Sequence, residues 1–97
     1  MFTITMTDDA LDDLKYLKKH EQILILDTLA RQLEHEPTLE TRNRKPLRPN
    51  ELSRWELRID RFRVFYDVED DDKSVLIKAI GWKNHHTLYI RGREFEL

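Results

Sequence analysis

The chain has 97 residues, of which 17 are basic and 19 acidic for a net charge of −2; 39% are hydrophobic and none is cysteine. That length suits a single domain spanning residues 1–97 with one modest core. The missing cysteines exclude disulfides and thiolate metal sites, and a 37% charged fraction with no apolar run near the required ~20 residues excludes a transmembrane helix.

In chain order, Phe2-Thr3-Ile4-Thr5-Met6 alternates as a short strand and stops at Thr7, an N-cap for a helix whose first turn carries Asp8 and Asp9. The opening MFTITMTDDA lacks the basic and then apolar order of a secretory signal, so a cytoplasmic location is expected. Leu11, Leu14 and Leu17 form the apolar stripe of this first helix. The pattern breaks at His20-Glu21 and restarts with Ile23, Leu26, Leu29, Ala30 and Leu33 on one face of a second helix, which Glu36-Pro37 ends. So short a link predicts an antiparallel αα-hairpin.

Residues 37–54 contain all three prolines and read as an extended connection carrying Arg42, Arg44, Lys45 and Arg48. Then comes WELRIDRFRVFYDV, in which Trp55, Leu57 and Ile59, and after them Phe62, Val64, Tyr66 and Val68, alternate with a second set containing Glu56, Arg58, Arg63, Phe65 and Asp67. A period of two marks half-buried strands, and the joint at Asp60-Arg61 is short enough for a tight hairpin or, because it lacks the glycine that two-residue turns prefer, for a longer or bulged one. Arg58 and Arg63 then share the polar face. They serve either as ordinary partners of Glu56, Asp60 and Asp67 or as a phosphate clamp. Asp70-Asp71-Asp72 reads as a turn, since the glycine and glutamate of a calcium loop are missing. Ser74 to Ile80 is a last strand ending at Gly81, and residues 90–97 form a C-terminal tail in which Phe95 and Leu97 pack as a short element or stay loose.

Charge is sorted along this order. Residues 1–40 hold nine acidic and four basic groups, residues 41–66 three and eight, and residues 67–97 seven and five, so a basic stripe of +5 sits in an otherwise acidic chain. Local potential governs phosphate contacts more than the total does. Adjacent His85 and His86 lack metal-ligand spacing, so neither a metal site nor a cofactor is expected. Both remain candidates for proton transfer, because imidazole titrates near neutrality.

Taken together, Lys45-Pro46-Leu47, Trp55-Glu56-Leu57-Arg58-Ile59, Phe62-Arg63-Val64-Phe65-Tyr66-Asp67-Val68, Ala79-Ile80-Gly81-Trp82-Lys83 and the downstream Tyr89 resemble the RelE/ParE superfamily of type II toxins. The resemblance runs from Phe2 to about Tyr89. It implies an α+β fold of order β-α-α-β-β-β, with an αα-hairpin packed on one face of a small antiparallel-rich sheet. It also implies a cognate antitoxin protein as partner and, for RelE-like members, metal-independent cleavage of messenger RNA on the ribosome. Such chemistry needs a base for a ribose 2′-hydroxyl, cations for the transition state and an acid for the leaving oxygen. By this resemblance Arg63 holds the scissile phosphate, Arg58 is a second strand cation, Lys83 stands at a further catalytic cation, and Tyr89 stacks on or assists at the attacked nucleotide. Arg42, Arg44, Lys45, Arg48 and Arg61 are candidate RNA contacts. Two positions depart from the pattern, Glu56 where a strand lysine is frequent and Trp82 where a basic residue is usual. Glu56 is either the base or an inert partner of Arg58. Three functions remain open: a ribosome-dependent endoribonuclease, a ParE-like inhibitor of DNA gyrase without enzymatic activity, and a degenerate member that only binds a partner.

Overall fold

In the computed structural model, which describes all 97 residues, the chain runs β1 (Thr3–Met6), α1 (Asp8–Tyr16), α2 (Lys19–Leu33), β2 (Arg44–Pro46), β3 (Trp55–Ile59), β4 (Phe62–Glu69), β5 (Ser74–Asn84), β6 (Thr87–Ile90) and β7 (Arg93–Phe95). The fold is α+β, two helices against a largely antiparallel sheet ordered β2-β3-β4-β5-β6-β7. β1 pairs parallel with the first part of β5, and β6 pairs with its last part on the same edge. The expected strand-helix-helix order and the hairpin hold, while β2, β6 and β7 are additional strands. Residues 90–97 are therefore not a loose tail: Leu88, Tyr89 and Ile90 pair with Phe95, Glu94 and Arg93.

Local chemistry explains the helix ends. The Thr7 hydroxyl accepts the Ala10 N–H at 3.0 Å at the start of α1, and Glu21 accepts the Lys18 N–H at 3.0 Å at the start of α2. The buried faces differ from the sequence reading. On α1 they are Ala10, Leu14 and Leu17, with Leu11 turned outward; on α2 they are Ile25, Leu29 and Leu33, with Ile23 and Leu26 exposed. Leucine and isoleucine crowd α2 so densely that several stripes fit a 3.6-residue period, and contact with the sheet selects the one spaced by four.

One sheet face, formed by Leu57, Ile59, Phe62, Val64, Tyr66, Val75, Ile77 and Ile80, closes the main core against these helices. The Tyr66 hydroxyl donates to the Pro37 carbonyl at 2.7 Å, which fixes the chain after α2, and burial raises its pKa. The opposite face is not simply solvated, as strict alternation predicts. Phe65, Ala79 and Leu88 form a second small core, covered by Leu47, Leu52, Ile90 and Phe95.

Of the two expected forms of the β3–β4 connection the tight hairpin is the one found, because Ile59 pairs directly with Phe62 across Asp60 and Arg61. Asp60 supplies the left-handed φ of 52° that glycine would otherwise provide. The irregularity lies further on. Phe65 pairs with Ala79 but Tyr66 pairs with Ile77, so Lys78 is skipped and β5 changes parity. Before the bulge the odd residues Val75 and Ile77 face the helices; after it the even residues Ile80 and Trp82 do. Gly81 and Lys83 are thereby delivered to the other face, beside Arg63.

Candidate functional site

Where β2, β3, β4 and the end of β5 meet on the face away from the helices, a cavity of about 100 Å³ is lined by Arg42, Asn43, Lys45, Glu56, Arg58, Arg63 and Lys83, with no hydrophobic residue. Strand register explains the gathering. Lys45 is opposite Glu56, Arg58 is opposite Arg63, and Arg63 is opposite Gly81, two residues from Lys83. Opposed residues share a face and residues two apart stay on it. Arg42 and Asn43 enter from the connection, where the Asn43 carbonyl accepts the Arg58 N–H at 2.7 Å.

Charge in this cavity is far from balanced, with five cations around one carboxylate. Its ion pair is Lys45 Nζ to Glu56 Oε2 at 3.7 Å, between an exposed ammonium and a buried carboxylate. Arg58 and Arg63 pair with none of the carboxylates that an ordinary strand face would offer them; Asp67 instead accepts the Arg54 N–H at 2.7 Å. Arg63 is itself 6% exposed. Its Nη1 donates to the carbonyls of Asp60 at 2.8 Å and Phe62 at 2.9 Å, which leaves the Nε and Nη2 hydrogens for an acceptor in the cavity. Burial, and then the charge of Arg58, lowers the Arg63 pKa, while Glu56 opposes the shift. A guanidinium so placed remains charged at neutral pH and gains from any anion that enters.

Six of the twelve residues singled out from sequence thus converge: Arg42, Lys45, Glu56, Arg58, Arg63 and Lys83. The other six do not. Tyr89 pairs with Trp82 and so shares its face, and Trp82 is opposite Phe62 on the helix side. The Tyr89 ring stacks on Trp82 at 6.0 Å and Trp82 on Tyr16 at 5.9 Å, so Tyr89 lies across the sheet from the arginines. His85 and His86 are the two residues of the β5–β6 turn, both with positive φ of 52° and 70°, as a type I′ turn requires. Both are exposed, and His86 reaches only a neighbouring depression that it shares with Lys83 and Glu94. Arg44 is structural: Nε donates to Leu39 O at 3.1 Å and Nη1 to Gln32 O, just after and within the end of α2. Arg48 lies in an adjoining depression with Pro49 and Asn50. Arg61 bonds Glu21 at 2.9 Å and sits over Phe62, on the helix side.

Asn43 lines the cavity and was not among the residues singled out. Its only signal in the sequence is Thr41 two positions earlier, a hydroxyl able to close a local turn. No cluster of three or more histidine, aspartate or glutamate side chains is placed to hold a metal ion.

A family profile described as the ParE toxin of the type II toxin-antitoxin system, parDE, matches residues 4–84. Among solved structures, the chain is similar to the RelBE2 toxin-antitoxin complex of Mycobacterium tuberculosis, with 24% identity over 84% of this chain and 98% of that one and a TM-score of 0.68. It is also similar to the archaeal RelE-RelB complex of Pyrococcus horikoshii, with 20% identity, coverage of 87% and 97%, and a TM-score of 0.69. For the isolated RelE toxin of E. coli the values are 18%, 88% and 87%, and 0.70. These likenesses establish a shared fold. A search of curated proteins finds no match.

Proposed function

This chain belongs to the ParE toxin family of type II toxin-antitoxin systems, and on that premise we propose that it is a metal-independent, ribosome-dependent endoribonuclease that halts translation by cutting messenger RNA. The observation that carries this reading is the cavity in which four cations without carboxylate partners, together with Lys45, surround one buried carboxylate. Arg58 and Arg63 hold the non-bridging oxygens of the scissile phosphate, the planar fork of Arg63 being pre-aimed by its bonds to the turn. Glu56, the one carboxylate in the cavity, takes the proton of the ribose 2′-hydroxyl as that oxygen attacks phosphorus. Lys83 supplies a proton to the departing 5′-oxygen. Electrostatic stabilisation of the crowded transition state contributes several kcal/mol in sites of this kind, on the order of 3 for a single donor.

An antitoxin is the partner, covering this basic cavity with its own acidic groups, in keeping with the toxin-antitoxin complexes among the structural neighbours. The cytoplasm, where ribosomes are, is the place of action.

The second reading, inhibition of DNA gyrase without catalysis, draws on a specific observation: the cavity contains neither an imidazole nor Tyr89. Induction of the protein followed by mapping of message ends separates the two. Breaks at codon-spaced positions in translated messages, with supercoiling unchanged, are expected. Intact messages together with accumulating gyrase-DNA cleavage complexes would replace the nuclease reading with the second.

A further inference from the structure

We propose that Asn43 is a specificity-determining residue, whose carboxamide reads the base of the nucleotide that the cavity cations hold by its phosphate. The carboxamide pairs with a Watson–Crick edge that sets a hydrogen-bond donor beside an acceptor, and the fixed backbone of Asn43 favours one base at that position over the other three. The ligand class rests on the nuclease reading, whereas the assignment of Asn43 rests on its surroundings.

The backbone of Asn43 is fixed on both sides. Its N–H and that of Arg44 both donate to the Thr41 hydroxyl at 3.2 Å, the Thr41 N–H donates to the Arg44 carbonyl at 2.9 Å, and the Asn43 carbonyl accepts from Arg58 at 2.7 Å. Arg44 ties the same short turn to the end of α2. Residues 41–44 are thus a closed loop clasped between β3 and a helix end, and Asn43 is rigidly registered to Arg58.

Its side chain behaves differently. The carboxamide makes no hydrogen bond within the protein and is exposed at the cavity. Asn50, in the same connection, has its amide fully engaged, donating to Arg48 O and Ser53 O and accepting from Leu52 N and Ser53 N at 2.7–3.0 Å. One asparagine builds its loop; the other leaves both a donor and an acceptor free.

Every other group lining the cavity is charged. Ammonium and guanidinium groups grip any phosphate alike and discriminate poorly among nucleotides, since phosphate contacts position while base contacts specify. A neutral amide offers one donor and one acceptor side by side, which matches a base edge that sets an acceptor beside a donor, and the fixed backbone of Asn43 decides which base brings that edge within reach. Splayed single-stranded bases expose that edge.

Two measurements on the full chain test the assignment. The first is binding of short single-stranded RNAs, blocked from cleavage by a 2′-deoxy ribose at the attacked position, with the flanking base varied. The second is cleavage on programmed ribosomes with A-site codons permuted at each position. At one position the wild type should favour one base over the other three by about ten-fold, the discrimination of one good bidentate pair. Asn43→Ala should level the four bases to within about two-fold, with an unchanged thermal midpoint because the backbone bonds remain. Asn43→Asp, which has acceptors only, should lose the same preference. Equal preference in wild type and Asn43→Ala, or no preference in the wild type, overturns the assignment even if messages are cut. Discrimination in binding that depends on Asn43, without any cleavage, upholds it and removes the nuclease reading instead.

Discussion

Arg58 and Arg63 stand directly opposite each other on β3 and β4, and like charges so placed destabilise a strand pair. The two differ in what else they do. Arg58 is exposed with no carboxylate partner, whereas Arg63 is buried and caps two carbonyls of the turn. Removal of Arg58 therefore relieves repulsion without leaving any group unsatisfied. We expect Arg58→Ala to keep or raise stability, by up to about 0.5 kcal/mol, while abolishing growth arrest. Arg63→Ala should also abolish arrest but cost about 1–3 kcal/mol, the penalty for unpaired carbonyls. Thermal unfolding of both variants, alongside growth curves at matched expression, checks the pair. A destabilised Arg58→Ala would mean that this cation serves the fold rather than the site.

At the scale of elements, Asp13 joins three that sequence distance separates. From α1 its Oδ2 accepts the Ile80 N–H of β5 at 3.0 Å, and its Oδ1 lies 2.9 Å from Arg91 Nε in the β6–β7 turn. The guanidinium meets Oδ1 off the hydrogen-bond axis, so the contact is one of charge and Oδ1 has no hydrogen-bond partner. Burial raises the Asp13 pKa, against the opposing pull of the Ile80 hydrogen bond and Arg91. A carboxyl with a raised folded pKa binds protons more readily in the folded state. Its contribution to stability is then fully present below the ordinary carboxylate pKa and is lost as pH rises through the raised value. Measured against Asp13→Asn, the wild type should be relatively most stable near pH 3 to 4, roughly at or below the unfolded pKa, and lose ground toward neutrality. Urea midpoints of both proteins over this range test the sign, and a gap that widens in favour of the wild type as pH rises would contradict it. Gly81 marks another junction of elements, since a Cβ there would lie 2.3 Å from the Tyr89 carbonyl; only glycine lets β6 approach β5 so closely beside the site.

Across the whole molecule the net charge is −2, while one cavity concentrates five cations. Such a distribution discourages non-specific wrapping by polyanions and still rewards insertion of a single phosphate, because outside the cavity the chain as a whole carries an acidic excess. The volume of about 100 Å³ is that of roughly three liquid waters, which suits one phosphate group. Binding of single-stranded RNA should therefore weaken with salt on a shallow slope, about −0.7 per phosphate engaged and no steeper than about −2 in a log-log plot. Titrations between 50 and 300 mM salt, roughly the range over which counterion release is read, provide the measurement. A steep slope would indicate a long basic track instead of a pocket.

The sequence by itself determined what depends on neighbours along the chain. Alternation around Asp60-Arg61 placed Arg58 and Arg63 side by side, because strand pleat and a two-residue turn are local geometry, and Thr7 fixed the start of α1 through a bond three residues long. The family resemblance was legible for the same reason, since it rests on residue types at short spacing. Phe65 was visible there as an aromatic on the arginine face, but the second core it forms with Ala79 and Leu88 was not read from it, since covering residues come from distant segments. What alternation alone could not supply was the bulge at Lys78, which depends on how β5 meets β4. One skipped residue reverses the parity of everything beyond it, bringing Lys83 to Arg63. Trp82 and Tyr89 go to the helix side, and the proton-transfer roles drawn from Tyr89 and the turn histidines leave the cavity with them. The burial of Arg63 and Glu56 likewise follows from elements packed over them, and the clasp that presents Asn43 requires a helix end, a strand and a connecting turn to meet. These are contacts between distant segments, and only the folded chain decides them.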